Sequence, residues 1–264
     1  MDDVQIKEMV RARYGGLATA SDTPCCSPAA ASCCGDRAPG TPAEKSRQMG
    51  YSEAELTAVP DGANLGLGCG NPQAIAALEP GEVVVDLGSG AGFDCFLAAR
   101  QVGDAGHVIG VDMTHEMLKR ARDNAARIGA ANVEFRLGEL EHLPVADRTA
   151  DVVISNCVIN LVPDKEQVFR EAFRVLRPSG RLAVADIVNT EPLSAELQAD
   201  LTLLCGCIAG AAPAERIEGW LAGVGFVDVR VTPKPESREL VKSWAPGRKL
   251  EDHVVSAVVE ARKP

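Results

Sequence analysis

The stretch Val83-Val84-Val85-Asp86-Leu87-Gly88-Ser89-Gly90-Ala91-Gly92 decides the fold. A short, mostly apolar run closed by alternating glycines predicts a strand buried on both faces that breaks into a tight turn. Phe93 to Gln101 reads as the helix that follows. Glycine at such a turn lets the backbone bend sharply and lets a ligand approach main-chain atoms. A dinucleotide loop spaces its glycines G-x-G-x-x-G, and counting from Gly88 the third position is the bulky Phe93. The spacing therefore predicts a ligand with no pyrophosphate to seat on the helix N-terminus.

Downstream, strand and helix patterns alternate. Val108–Asp112 is a second buried strand, and Thr114 caps a helix with Met117, Leu118, Ala121, Ala125 and Ile128 on one face. Val133–Leu137 and Asp151–Ser155 are further strands. Asp164 opens a helix with Gln167 three residues on, a capping-box pattern. Its apolar stripe is Val168, Phe169, Ala172, Phe173 and Leu176, and Pro178-Ser179-Gly180 stops it before a fifth strand, Arg181–Val188. Repeated units of this kind predict an α/β, doubly wound, Rossmann-like sheet with helices on both faces. Beyond residue 190 come a helical insertion (191–211), a helix (213–224), a strand (226–232) and a last strand (254–261), a small C-terminal α/β extension. Upstream, residues 1–14 predict a short helix, 15–43 are rich in Gly, Ala, Ser, Pro and Cys, 44–58 predict a helix, and 60–72 form a glycine-dense loop.

Asp112 closes the second strand 26 residues after Asp86, where a carboxylate accepts ribose hydroxyls in doubly wound folds. Gly138-Glu139 follow the third strand, beside the place an adenine ring takes.

Composition narrows the class. Of 264 residues, 46% are hydrophobic and 24% charged, the balance of a soluble globular protein. The net charge of −10 comes with no Lys/Arg block, which speaks against a nucleic-acid partner. No run of about 18 apolar residues predicts a membrane span. The opening Met1-Asp2-Asp3-Val4-Gln5-Ile6-Lys7 lacks the order of a signal peptide, so a cytoplasmic protein is expected. Nine cysteines, an odd count, raise metal, metalloid or redox chemistry; the plain alternative for each is a small buried hydrophobe.

Ligands of a doubly wound sheet lie beyond the carboxyl ends of its strands. Cys157 follows the fourth strand, Cys69 lies in the loop before the first, and Cys207 lies in the insertion after the fifth, so three distant cysteines can meet at one rim. Soft sulfur selects soft centres. A closed thiolate zinc site is structural and offers nothing to alkylate. A trivalent metalloid such as arsenic, held by three sulfurs, keeps a lone pair at its fourth corner.

Residues 83–139 resemble the class I S-adenosylmethionine methyltransferases. The resemblance implies that Asp86, Gly88, Ser89 and Gly90 hold the methionine part, Asp112 and Met113 the ribose and adenine, and Gly138 and Glu139 the base. Asn156 either positions the cofactor or caps its strand. More specifically, Leu65-Gly-Leu-Gly-Cys-Gly-Asn-Pro72, Ser155-Asn-Cys-Val-Ile-Asn-Leu161 with Pro163-Asp-Lys165, and Gly206-Cys-Ile-Ala-Gly-Ala211 resemble the bacterial branch of the arsenite methyltransferases. That likeness runs from about residue 44 to the C-terminus. It implies Cys157 and Cys207 as primary arsenic ligands and Cys69 as the third, pairing with an N-terminal cysteine as a disulfide during turnover. The family has one N-terminal cysteine where this chain has Cys25, Cys26, Cys33 and Cys34; Cys34 is taken here as the redox partner, with Cys33 an equal candidate. Cys205 and Cys95 are read as packing residues. The implied partners are arsenite, methylated arsenicals and a thiol reductant such as thioredoxin or glutathione, acting on a monomer. Three segments follow: a flexible Cys-rich segment (1–43), a cofactor-binding methyltransferase domain (44–189), and a substrate-capping region that completes the sheet (190–264). Two other readings stay open: a small-molecule methyltransferase of the quinone-biosynthesis kind, and a non-enzymatic metalloid-binding protein.

Overall fold

The computed structural model describes residues 2–19, 41–198, 200–204, 206–244 and 247–264. Its strands are β1 (Val83–Leu87), β2 (His107–Asp112), β3 (Val133–Leu137), β4 (Ala150–Asn156), β5 (Leu176–Asn189), β6 (Ala212–Pro213), β7 (Val227–Lys234) and β8 (Val254–Arg262). They form one sheet in the order β3-β2-β1-β4-β5-β8-β7, with β6 beside the end of β5. β1 to β5 run parallel, and β8 runs antiparallel to both β5 and β7. The strand order reverses between β1 and β4, so the crevice beyond their carboxyl ends is where a doubly wound sheet receives its ligand.

Alternation along β1 explains why the sheet is covered on both sides. Val85 and Leu87 join a core with Val168, Phe169 and Ala172 of the helix Lys165–Val175, and with Ile217 and Leu221 of the helix Ala214–Val224. Val84 joins the opposite core, with Phe96 and Ala99 of the helix Phe93–Val102 and Leu118 and Ala121 of the helix His115–Ile128. Asp86 projects on that second side and is buried.

Several boundaries differ from expectation. Asp164 does cap its helix, accepting the Gln167 amide at 2.9 Å. The Gln167 side chain, however, donates to the Glu141 carbonyl at 3.1 Å rather than closing a capping box. Leu176, expected at the end of that helix, already pairs with Ala150, and Pro178-Ser179-Gly180 lies within an irregularity of β5 where the register shifts. The insertion contains two short helices, Ala195–Gln198 and Leu201–Leu204. A further helix, Arg238–Trp244, was not predicted.

The short helix expected over 1–14 extends further, and residues 20–40 of the Cys-rich segment lie outside the described residues. Asp3–Thr19 is one continuous helix, and its Ala18 carbonyl accepts Arg120 Nη1 at 3.1 Å. Val10 is buried against Leu161 and Cys207. Among the described residues no helix is long and apolar enough to cross a membrane.

Candidate active site

The β1 turn is set by its glycines. The Gly88 and Ser89 amides both donate to the Val111 carbonyl, at 2.8 and 3.0 Å, which folds the turn back over β2. Gly88 has φ +74°, and a Cβ there would stand 2.6 Å from the Val158 side chain. Asp112 ties the turn from the other strand: Oδ2 accepts the Gly90 amide at 2.9 Å and Oδ1 the Thr114 amide at 2.8 Å. A cavity of about 460 Å3 opens here, touching Asp86, Ser89, Gly90, Asp112, Met113 and Asn156. The Ser89 hydroxyl is buried and has no protein partner, so this wall presents an unfilled polar atom.

The floor is acidic. Burial, reinforced by the neighbouring Asp94 charge, holds the Asp86 carboxyl well above the usual carboxylate range, although Cys95 Sγ donates to its Oδ2 at 3.2 Å. Burial also raises Asp94, against hydrogen bonds from the Tyr51 hydroxyl at 2.7 Å and Asn156 Nδ2 at 3.3 Å. Asp112 is raised by burial as well. Their hydrogen-bond partners are neutral, so a cationic ligand would recover the ionisation that burial opposes.

The same cavity reaches Cys157 and Cys207. Cys157 follows directly on β4 with φ +57°, and Cys207 has φ +65°, both in the left-handed region that non-glycine residues rarely adopt. Cys207 Sγ donates to the Cys157 carbonyl at 2.7 Å, which locks the two loops together. Cys69 is disulfide-bonded to Cys157, with their Cα atoms 5.6 Å apart. The Cys69 amide donates to Asn156 Oδ1 at 3.1 Å, and its carbonyl accepts the Ser256 hydroxyl at 2.6 Å.

A carboxylate lies under these sulfurs. An oxygen of Asp186 and the Sγ atoms of Cys69 and Cys157 all fall within 4.8 Å of one another. Asp186 Oδ2 accepts the Ile159 amide at 3.0 Å, and Oδ1 accepts Asn160 Nδ2 at 2.9 Å and the Ile187 amide at 2.8 Å. Burial raises its pKa to about 6, moderated by those hydrogen bonds and by the Lys165 charge. Lys165 is itself lowered by burial and donates to the Val162 carbonyl at 2.9 Å.

Comparison with known proteins identifies the family. A family profile described as a methyltransferase domain matches residues 78–243. The arsenite methyltransferase of Halobacterium salinarum is 52% identical over 269 residues, covering 100% of this chain and 68% of that protein. The chain belongs to the arsenite methyltransferase family. The human arsenite methyltransferase is 38% identical over 157 residues, 56% of this chain and 42% of that protein, so the chain spans less than half of that longer relative. Among solved structures, the arsenic(III) S-adenosylmethionine methyltransferase of Chlamydomonas reinhardtii superposes with a TM-score of 0.62 at 31% identity, covering 86% of this chain and 75% of that one.

Within this member of the arsenite methyltransferases, Asp86, Gly88, Ser89, Gly90, Asp112, Met113, Asn156, Cys157 and Cys207 meet at one cavity, and Cys69 is joined to it through its disulfide. Gly138 and Glu139 do not line it. Gly138 packs against Pro144, and Glu139 is drawn toward the N-terminal helix by Lys7 Nζ at 2.7 Å and by Arg11, so Leu140 and Glu141 supply that wall instead. In this structure Cys69 is bonded to Cys157, and the N-terminal cysteines expected to pair with it during turnover lie outside the described residues. Cys34, with Cys25, Cys26, Cys33 and Cys205, lies outside the described residues. Sequence reasoning missed Tyr51, Asp94 and Asp186. The available signal for Asp186 was a lone acid inside the apolar run Leu182–Val188.

Proposed function

We propose that this chain transfers methyl groups from S-adenosylmethionine to trivalent arsenic carried on Cys69, Cys157 and Cys207. The observation that carries the reading is one cavity with the acidic, glycine-turned floor at one end and Cys157 and Cys207 at the other. When bound, S-adenosylmethionine supplies an electrophilic methyl group on a cationic sulfur for the lone pair of thiolate-bound arsenic. Asp86 and Asp94 suit the cationic methionine end, the unfilled Ser89 hydroxyl offers a further polar contact, and Asp112 suits the ribose hydroxyls.

The cysteines must first be thiols. Two equivalents of a reducing thiol convert the Cys69–Cys157 disulfide to two cysteine thiols and release the reductant as its own disulfide. Thioredoxin or glutathione fits that requirement, and a reducing compartment such as the cytoplasm suits it. A monomer already contains every residue named here. Positioning the arsenic and the methyl carbon in line is the protein's main contribution, worth several kcal/mol of barrier.

The test is chemical. Reduced protein incubated with arsenite, thiol and S-adenosylmethionine is expected to yield methylated arsenic. Binding of arsenite without any methylated product would favour a sequestering protein instead.

A further inference from the structure

We propose that Asp186 is the proton acceptor that loads arsenic onto the cysteines. This rests on the arsenic reading above and adds a residue to its chemistry. Loading is a condensation: arsenous acid and three cysteine thiols give three As–S bonds and three waters, with no change of oxidation state. For each bond a proton must leave sulfur and reach the departing hydroxide. Cys69 and Asp186 are 2% and 4% exposed, so bulk water is a poor carrier there.

The geometry supplies a carrier. The Asp186 carboxylate and the sulfurs of Cys69 and Cys157 lie within 4.8 Å of one another. A carboxylate offers about four acceptor positions. Ile159 N, Ile187 N and Asn160 Nδ2 occupy three, which fixes the group and leaves acceptor capacity for a thiol. Lys165 is the cation that faces it, and the same ammonium faces Cys207. The step then balances as follows. Asp186 takes the thiol proton, the thiolate attacks arsenic, the As–O bond breaks, and the proton passes to the departing hydroxide as water. The carboxylate returns unchanged for the second thiol of the Cys69 and Cys157 pair.

A structural role, as an anchor for the Ile159–Leu161 turn, predicts something different, and two arsenic donors tell the two apart. Arsenous acid must lose hydroxide; arsenic preloaded on a small monothiol loses a thiolate, which needs far less help from an acid. Reduced full-length protein is mixed with each donor, and formation of As–S absorbance is followed by stopped flow. Asp186→Asn is expected to slow capture of arsenous acid about 100-fold, the usual scale of acid–base assistance. Capture from the thiolated donor still needs the thiol proton removed but no hydroxide protonated, so it should slow by a clearly smaller factor, about tenfold, with S-adenosylhomocysteine binding unchanged. If D186N fails to fold, D186A serves, and added formate is expected to restore its capture of arsenous acid. Unchanged capture by D186N, equal slowing with both donors, or no formate rescue overturns the proposal. Wild-type protein that captures neither donor overturns the arsenic reading along with it.

Discussion

Asn156 accepts the backbone amide of Cys69 at 3.1 Å, and so fastens a sulfur-bearing loop to the end of β4. Its amide nitrogen donates the other way, to the Gly70 carbonyl at 2.9 Å and the Tyr51 hydroxyl at 3.0 Å. One side chain thus joins the loop of a candidate arsenic ligand to the acidic floor of the cofactor cavity. Replacing it by alanine leaves several polar groups without partners, at a cost of about 1–3 kcal/mol. Asn156→Ala should therefore weaken S-adenosylhomocysteine and arsenite binding together, each by about tenfold. Calorimetric titration of both ligands checks this, and loss of only one would show that the two ends are not coupled through Asn156.

The glycine turn gives a prediction with an internal control. At Gly88 the backbone is left-handed and a Cβ would meet Val158, whereas Gly81 is also left-handed, at φ +89°, with open space around it. Gly81→Ala should cost about 1–2 kcal/mol of stability and leave cofactor affinity intact. Gly88→Ala pays the same backbone penalty and also displaces Val158 from the cavity wall, so S-adenosylhomocysteine affinity should fall more than tenfold. Thermal melts and equilibrium binding on the two variants separate the effects.

Docking of the N-terminal helix should depend on pH. The hydrogen bond and charge of Lys7, with help from Arg11, hold Glu139 below its ordinary value of 4.5. A carboxyl whose folded pKa is depressed contributes stability that is present above the unfolded pKa and lost as pH falls through the folded one. The helix Asp3–Thr19 should therefore loosen below pH 4.5, and Glu139→Gln should loosen it at neutral pH. Amide hydrogen exchange over residues 3–19 is the measurement; unchanged protection in acid would show that Val10 packing alone holds the helix.

Much of this was legible in the sequence because buried parallel strands write themselves as apolar runs between glycines. β1 and the β2 to β4 alternation fall where those runs fall. What was not legible depended on partners far along the chain. Glu139 stands in the expected turn, yet its direction is decided by Lys7, 132 residues away. Pro178-Ser179-Gly180 reads as a helix stop before a strand at Arg181, but β5 already begins at Leu176 by pairing with Ala150 across the sheet. Asp186 looked like an interruption in an apolar strand, and only the meeting of the Cys69 loop and the Cys157–Leu161 turn above it shows why a carboxylate sits there. The disulfide between Cys69 and Cys157, 88 residues apart, belongs to the same class.

The three sulfurs should not be equivalent across successive methylations. A methylated arsenical already carries one carbon and takes two protein sulfurs, whereas arsenite takes three. Cys69→Ser should depress methylation of arsenite more than methylation of monomethylarsenite, since a hard serine oxygen is a poor substitute for soft sulfur. Product speciation with each substrate checks this, and equal losses would remove Cys69 from the ligand set.

The most direct test of the account is the methylation of arsenite by Cys157→Ser and Cys207→Ser proteins under reducing conditions, with S-adenosylhomocysteine binding measured alongside. Each substitution is predicted to abolish methylated arsenic while leaving cofactor affinity at the wild-type value. Full methylating activity in either variant would contradict the assignment.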